Sequence, residues 1–322
     1  MRIITLEEHM TTPEIAKLAP LVSSGPMADY MQAMGLKLLD VGAGRIADMD
    51  AAGIDMQILS VATNATDRLD AETAYGLSHD ANDRMAAAVQ AHPSRFAAFA
   101  NVALQEPERA AAELERCVSR LGFKGLMVNG APNGQFFDHP RFTPLLETAH
   151  ALDVPVYLHP APPPQPVRDA YFSDLPGAAG FFLSTSAWGW HAETGMHSLR
   201  LMAAGVFDRF PNLKIIIGHM GENLPFSIAR ANSVFAHVTS GLQRTIAEYF
   251  QEHFYLTTSG YFTTPPFVCA QQVLGIDRIL FSVDYPFSSN TLGRNFLDQL
   301  DLTPEDMDKV THRNAEKLLK LT

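Results

Sequence analysis

The chain has 322 residues, 47% of them hydrophobic, with 24 Lys and Arg against 35 Asp and Glu for a net charge of −11. That balance excludes nucleic acid and anionic membranes as expected partners, while a local arginine still leaves room for a small anionic substrate. The chain is long enough for one large α/β domain, and it has no apolar run of the roughly 18 residues a membrane span requires.

After Arg2 the apolar or β-branched run covers only Ile3, Ile4, Thr5 and Leu6, too short for a secretory signal, so a cytoplasmic location is expected. This run opens the first predicted strand, IITLEE (3–8), which leads directly into Glu7, Glu8 and His9. Further strands are predicted at 56–62, 96–102, 123–130, 154–160, 213–221, 254–260 and 278–287. Helices are expected between them at 71–92, 106–122, 139–152 and 196–210; the second has acidic residues in its first turn and Gly122 at its end. Segments 10–35, 159–190 and 238–253 read as irregular, the length of lids or binding loops.

KIIIG and RILFSV are apolar on successive residues, as in parallel strands covered on both faces. Eight such β-then-α units predict a (β/α)8 TIM barrel with long βα loops and C-terminal helices, one domain over residues 1–322. An open doubly wound sheet is disfavoured because no G-x-G-x-x-G follows the first strand. Cys117 and Cys269 have no partner at metal-ligand spacing and read as reduced core thiols.

In a parallel barrel all C-terminal strand ends share one mouth. Here the first strand ends in Glu7, Glu8 and His9, the fourth in Asn129, the fifth in His159, the sixth in His219 and the eighth in Asp284. Residues i and i+2 share a face, so Glu7 and His9 point inward together and Glu8 points away. Taken singly, each histidine reads as a hydrogen-bonded core residue and Asp284 as a turn or cap residue. Together, Glu7, His9, His159 and Asp284 supply two imidazoles and two carboxylates, a set suited to one Zn²⁺ or Mn²⁺. His219 is followed at i+3 by Glu222, which can fix its tautomer and raise its basicity; the plainer alternative is an acidic residue in a first helical turn. Arg230 falls about two turns into the next helix and reads from position alone as solvated.

LEEH, VYLHP, IIIGHMGENLP and ILFSVDYPF, in this order, resemble the metal-dependent decarboxylase branch of the amidohydrolase superfamily. That branch includes aminocarboxymuconate semialdehyde and 5-carboxyvanillate decarboxylases, with γ-resorcylate and dihydroxybenzoate decarboxylases as the nearest likeness. The resemblance implies a barrel with one catalytic metal on Glu7, His9, His159 and Asp284. It implies a His219–Glu222 dyad and gives Arg230 a contact to a substrate carboxylate or phenolate, against its solvated reading. Hydrolytic members of the superfamily commonly open with H-x-H and bridge two metals through a lysine on strand four. Here Glu7 takes the first place, the fourth strand ends in Asn129, and Lys124 sits at that strand's start; all this favours a single metal and a lyase.

The implied reaction is non-oxidative decarboxylation of a hydroxybenzoate-like acid by a carbon–carbon lyase of aromatic catabolism. Asp284 delivers a proton to the ring carbon, His219 with Glu222 acts on the hydroxyl, and Arg230, Asn129 and Phe287 bind substrate. Trp188, Trp190 and Phe262 are further candidates for lining a planar pocket. The alternative is a mononuclear metal-dependent hydrolase of a lactone, amide or ester, in which Asp284 takes a proton from water. A small aromatic carboxylate is the expected partner, in a homodimer or homotetramer.

Overall fold

The computed structural model describes residues 1–18, 28–61, 65–238 and 241–321. Its eight strands are β1 (Ile4–Met10), β2 (Met56–Val61), β3 (Phe96–Ala98), β4 (Leu126–Asn129), β5 (Val156–His159), β6 (Ile215–Ile217), β7 (Phe254–Thr257) and β8 (Ile279–Leu280). All pairings are parallel, in the orders β1-β2-β3 and β4-β5-β6-β7-β8. Two seams join these sheets. At the first, Ala100 bridges to Leu126, with Ala100 N donating to Gly125 O at 2.8 Å and Met127 N to Ala100 O at 3.0 Å. At the second, Glu8 bridges to Tyr285, with His9 N donating to Tyr285 O at 2.6 Å. The strands therefore close into the expected (β/α)8 barrel.

Parallel strands need cover on both faces, and the apolar runs provide it. Ile216, for example, packs inside the barrel with Ile4, Leu6, Ile58, Phe99, Met127 and Leu280. Its neighbours Ile215 and Ile217 pack outward against the helices. Each such buried side chain contributes about 1.5–3 kcal/mol relative to exposure. The C-terminal helix Asn314–Leu319 adds Ala315, Leu318 and Leu319 to the interior cluster. The apolar interior is thus filled away from the mouth, where the polar strand ends collect.

The helix expected at 71–92 runs Ala71–Ala91, and Asp70 caps it by accepting from Thr73 N at 2.9 Å. The helix expected at 106–122 runs Pro107–Leu121 and ends on Gly122, φ 75°. The three stretches expected to be irregular hold helices. Ala28–Leu39 begins in the first and runs past its end, with residues 19–27 outside the described set; Gln165–Tyr171 and Ala179–Ser184 lie in the second. Ile246–His253 fills the second half of the third, because Thr245 and Glu248 form a capping box and Ile246, Tyr249, Phe250 and His253 are buried at helical spacing.

Apart from β1, the strands are shorter than expected, and two of the shortenings bear on the site. β8 was expected to continue to 287, but the Ser282 hydroxyl accepts from Leu6 N and Glu7 N where a backbone carbonyl would serve. β6 stops at Ile217, and His219 lies beyond it rather than on it. Among the described residues no helix is long and apolar enough to cross a membrane. Cys117 is buried, Cys269 is partly buried, and both are free thiols.

Candidate metal centre and catalytic dyad

Glu7 and His9 leave β1 on one face, His159 closes β5, and Asp284 follows β8 with φ 71°. One ligand atom from each lies within 4.8 Å of all the others. His159 Nε2 is 3.1 Å from Glu7 Oε1, and His9 Nε2 is 3.3 Å from Asp284 Oδ1. The Glu7 and His9 side chains are fully buried, whereas Asp284 is 17% exposed, so the cluster opens toward the mouth on the Asp284 side.

Glu7 Oε1 and His9 Nε2 are buried without a hydrogen bond. A bare buried polar atom costs about 1–3 kcal/mol, and here two sit side by side. A divalent cation of borderline hardness satisfies both, and two imidazoles with two carboxylates are a donor set it accepts. The residues therefore fit one metal ion. Burial alone would raise the Glu7 carboxyl, but the imidazoles of His219, His159 and His9 outweigh it and hold Glu7 well below the usual carboxylate range. Burial lowers His9, leaving it as the neutral imidazole a metal requires.

The remaining atoms of the ligands are held from behind. Tyr157, two residues before His159 on the same face of β5, donates its hydroxyl to Glu7 Oε2 and contacts Thr257 Oγ1 at 2.8 Å. His9 Nδ1 meets Ser60 Oγ at 3.1 Å, and His159 Nδ1 meets Pro160 O at 2.8 Å. Such contacts fix the tautomer and ring orientation of metal-binding histidines. Gly218 is required by close approach: a Cβ there would lie 2.7 Å from Glu7 Oε2.

Glu8 points away from the cluster because a register shift in β1 between Thr5 and Glu8 resets the alternation that puts Ile4 and Leu6 inside, and it too is fully buried. Its Oε1 accepts from Ser282 Oγ at 3.0 Å and Val283 N at 2.9 Å, and its Oε2 from Tyr285 N at 3.1 Å. The two backbone donors flank Asp284, so Glu8 fixes the backbone on both sides of that ligand. Burial pushes the Glu8 carboxyl up to about 8 against the pull of these donors. Arg45, fully buried behind β1, donates to the His9 carbonyl and stacks on Tyr285 with 4.7 Å from its guanidinium carbon to the ring centre.

Residues His219, Met220, Gly221, Glu222 and Asn223 have φ of 50°, 56°, 88°, 52° and 65°. They form a left-handed turn, at a cost of about 1–2 kcal/mol for each non-glycine residue. Strain of this kind persists where surrounding contacts over-determine it, and functional sites are a common setting. The turn brings His219 Nδ1 to 2.7 Å from Glu222 Oε1. The opposite nitrogen, Nε2, lies 3.7 Å from Glu7 Oε1 and 3.8 Å from Asp284 Oδ2. Burial would lower His219, but Glu222 and Glu7 outweigh it and hold the ring well above its ordinary value. Burial would raise Glu222, and His219 and His191 outweigh that in the other direction.

Of the residues expected to bind substrate, Asn129 ends β4 in register with His159, beside the cluster. The Phe287 ring lies 5.7 Å from that of His9 and is 42% exposed. Arg230 is exposed on the helix Leu224–Phe235, and among the described residues no side-chain hydrogen bond or ion pair ties it to the cluster. Trp190 Nε1 donates to His191 Nε2 at 3.1 Å, while Trp188 is 54% exposed. Phe262 packs against Phe296 at 5.9 Å and joins the core around it. Tyr157 was missed in the sequence although its spacing from His159 could have signalled it. His191 and Arg45 come from other elements and carried no local signal.

The amidohydrolase family model matches residues 39–321. The γ-resorcylate decarboxylase of Polaromonas sp. JS666 is 40% identical, over 99% of this chain and 98% of that protein. The crystal structure of a dihydroxybenzoic acid decarboxylase from the same organism, with bound manganese and the inhibitor 2-nitroresorcinol, superposes with a TM-score of 0.90 at 38% identity, covering 99% of this chain and 97% of that one. A 2,6-dihydroxybenzoate decarboxylase complexed with 2,6-dihydroxybenzoate gives 0.91 at 36% identity, covering 100% and 99%. With its barrel, its mouth cluster and these relatives, the chain belongs to the amidohydrolase family.

Proposed function

We propose that the protein is a metal-dependent, non-oxidative decarboxylase of a hydroxylated aromatic carboxylic acid, with one divalent ion, Mn²⁺ or Zn²⁺, on Glu7, His9, His159 and Asp284. The observation that carries this reading is the pair of bare buried donors, Glu7 Oε1 and His9 Nε2, beside a histidine locked to a carboxylate. The manganese and the dihydroxybenzoate in the two solved relatives support it.

Bound there, the ion supplies a Lewis acid for the substrate's carboxylate and ortho oxygen. The chain's own residues do the rest. Loss of carbon dioxide from an arene needs a proton on the carbon that bears the carboxylate. Asp284 faces the open side of the cluster and donates that proton. The C–C bond then breaks, its electron pair restores the aromatic ring, carbon dioxide leaves, and Asp284 regains a proton from solvent. His219, its Nδ1 held by Glu222 and its ring held in the protonated form, presents its Nε2–H to the substrate hydroxyl oxygen and orients it by a donated hydrogen bond. Asn129 and Phe287 border the cluster and position the ring, and Arg230 takes an anionic or phenolic oxygen of the substrate. A single domain over 1–322 belongs to this reading, supported by the closed seams, as does a homodimer or homotetramer.

The test is incubation of the Mn²⁺-loaded protein with a panel of hydroxybenzoates, following carbon dioxide and the decarboxylated phenol. Release of both from at least one acid is the expected result. Cleavage of esters or lactones with no carbon dioxide from any acid would replace this reading with the hydrolase.

A further inference from the structure

His191 lies on the helix Gly189–Ala203, 28 positions before His219, and is only 2% exposed. Its Nδ1 is 2.6 Å from Glu222 Oε2, while His219 Nδ1 is 2.7 Å from Glu222 Oε1. One buried carboxylate therefore holds two imidazoles, one on each oxygen, with ring centres 4.7 Å apart.

The far side of His191 shows which nitrogen carries the proton. Nε2 has two neighbours, the Trp190 indole Nε1 at 3.1 Å and the Ser186 carbonyl oxygen at 2.9 Å. If Nε2 accepts from the indole, the neutral ring has its proton on Nδ1. If Nε2 donates to the carbonyl, an ionised Glu222 opposite Nδ1 still requires a proton there, and the ring is an imidazolium. Both cases give an N–H directed at Glu222 Oε2. The backbone is shaped for this contact. A Cβ on Gly195 of the same helix would stand 2.8 Å from the Glu222 carbonyl oxygen, so the missing side chain lets the helix rest on the left-handed turn.

A carboxylate bound at one oxygen can pivot about that bond, and the imidazole it holds pivots with it. Held at both oxygens, its plane is fixed. We infer that His191 is a positioning residue for the decarboxylation: through Glu222 it fixes the direction of His219 Nε2, and through Ser186 and Trp190 it ties that direction to the end of the 159–190 stretch. The inference rests on the decarboxylase reading for its kinetic consequence and on geometry alone for its structural one.

Two measurements on the full-length protein test it. In the Zn²⁺-loaded protein, proton NMR of the downfield imidazole N–H region should show two resonances from the donors to Glu222. His191→Leu should remove one and move the other. His191→Asn, whose amide nitrogen falls where Nδ1 lies, should leave the His219 resonance close to its native position. In the Mn²⁺-loaded protein, His191→Leu should lower kcat about 10–100-fold, the usual effect of losing such a support, with KM little changed, and His191→Asn should recover most of it. Should His191→Leu fail to fold, His191→Phe, closer in shape, makes the same comparison. An unmoved His219 resonance in His191→Leu, or equal loss of kcat in the Leu and Asn variants, would overturn the inference. If the native protein decarboxylates no acid, the functional reading fails while the resonances still decide the role of His191.

Discussion

Tyr157→Phe removes one oxygen and little else. The ring is fully buried and packs against Phe99 with 6.0 Å between centres, contacts that phenylalanine retains. What disappears is the donor to Glu7 Oε2, leaving only Thr257 Oγ1 at 3.4 Å. Thr257 loses less, because its hydroxyl also has Ser259 Oγ at 2.7 Å. A hydrogen bond to a buried charge contributes about 1.5–3 kcal/mol, so the metal-free protein should lose roughly 2 kcal/mol. Unfolding entropy near 2.1 cal/mol/K per residue gives roughly 0.7 kcal/mol/K for 322 residues, and Tm should fall by about 3 °C. Supports behind a ligand typically contribute 10–100-fold in metal affinity, so Mn²⁺ should bind about tenfold more weakly or worse. Calorimetry of the metal-free protein and competitive Mn²⁺ titration read the two effects. Unchanged Tm together with unchanged Mn²⁺ affinity would show that Tyr157 does not hold Glu7, and the account of the centre would be wrong at its base.

Asp284→Asn should keep the fold and lower kcat by about 10²–10⁴-fold, the usual contribution of a positioned general acid; turnover at the native rate would remove Asp284 as the proton donor. Gly218→Ala should place a methyl 2.7 Å from Glu7 Oε2 and 3.2 Å from the Tyr157 hydroxyl, displacing Glu7 and cutting metal content without unfolding the barrel; metal analysis and circular dichroism check the two halves. His197 is buried away from the centre, accepts from Phe137 N at 2.9 Å, and is pushed down to about 3 by burial. The unfolded chain therefore binds this proton more readily, and stability present above pH 6.5 should decline toward pH 3, by about 3 kcal/mol at pH 4.5. His197→Gln, which keeps an acceptor for Phe137 N but does not titrate, should flatten that decline in pH-dependent urea unfolding, and an unaltered slope would assign acid sensitivity elsewhere.

The strands were legible because Ile215–Ile217 and their counterparts must be covered on both faces, and few residue types tolerate that. The ligand set was legible because alternation puts Glu7 and His9 on one face and barrel geometry brings strand ends together. The left-handed turn was not. HMGE carries one glycine, and nothing local reveals that His219, Met220 and Glu222 also take positive φ; contacts from other elements force them to. His191 was invisible for a similar reason: the direction of its helix is set by packing on Gly195, a relation between distant segments. Glu8 shows a partial success. Alternation separated it from Glu7 and His9, but the register shift in β1 that turns those two inward after Leu6, and the place of Glu8 at the β1–β8 seam among Ser282, Val283 and Tyr285, depend on closure of the barrel.

Closure at that seam also sets a clock. Glu7 and Asp284 are 284 − 7 = 277 positions apart, and a ribosome adding about 5–20 residues per second needs roughly 15–55 s to make the second after the first. Until His159 is made the nascent chain carries half a coordination sphere, and until Asp284 is made the sphere lacks its last ligand. Loading waits for the finished polypeptide, and the choice of metal falls to the folded protein rather than to whichever ion meets the emerging chain.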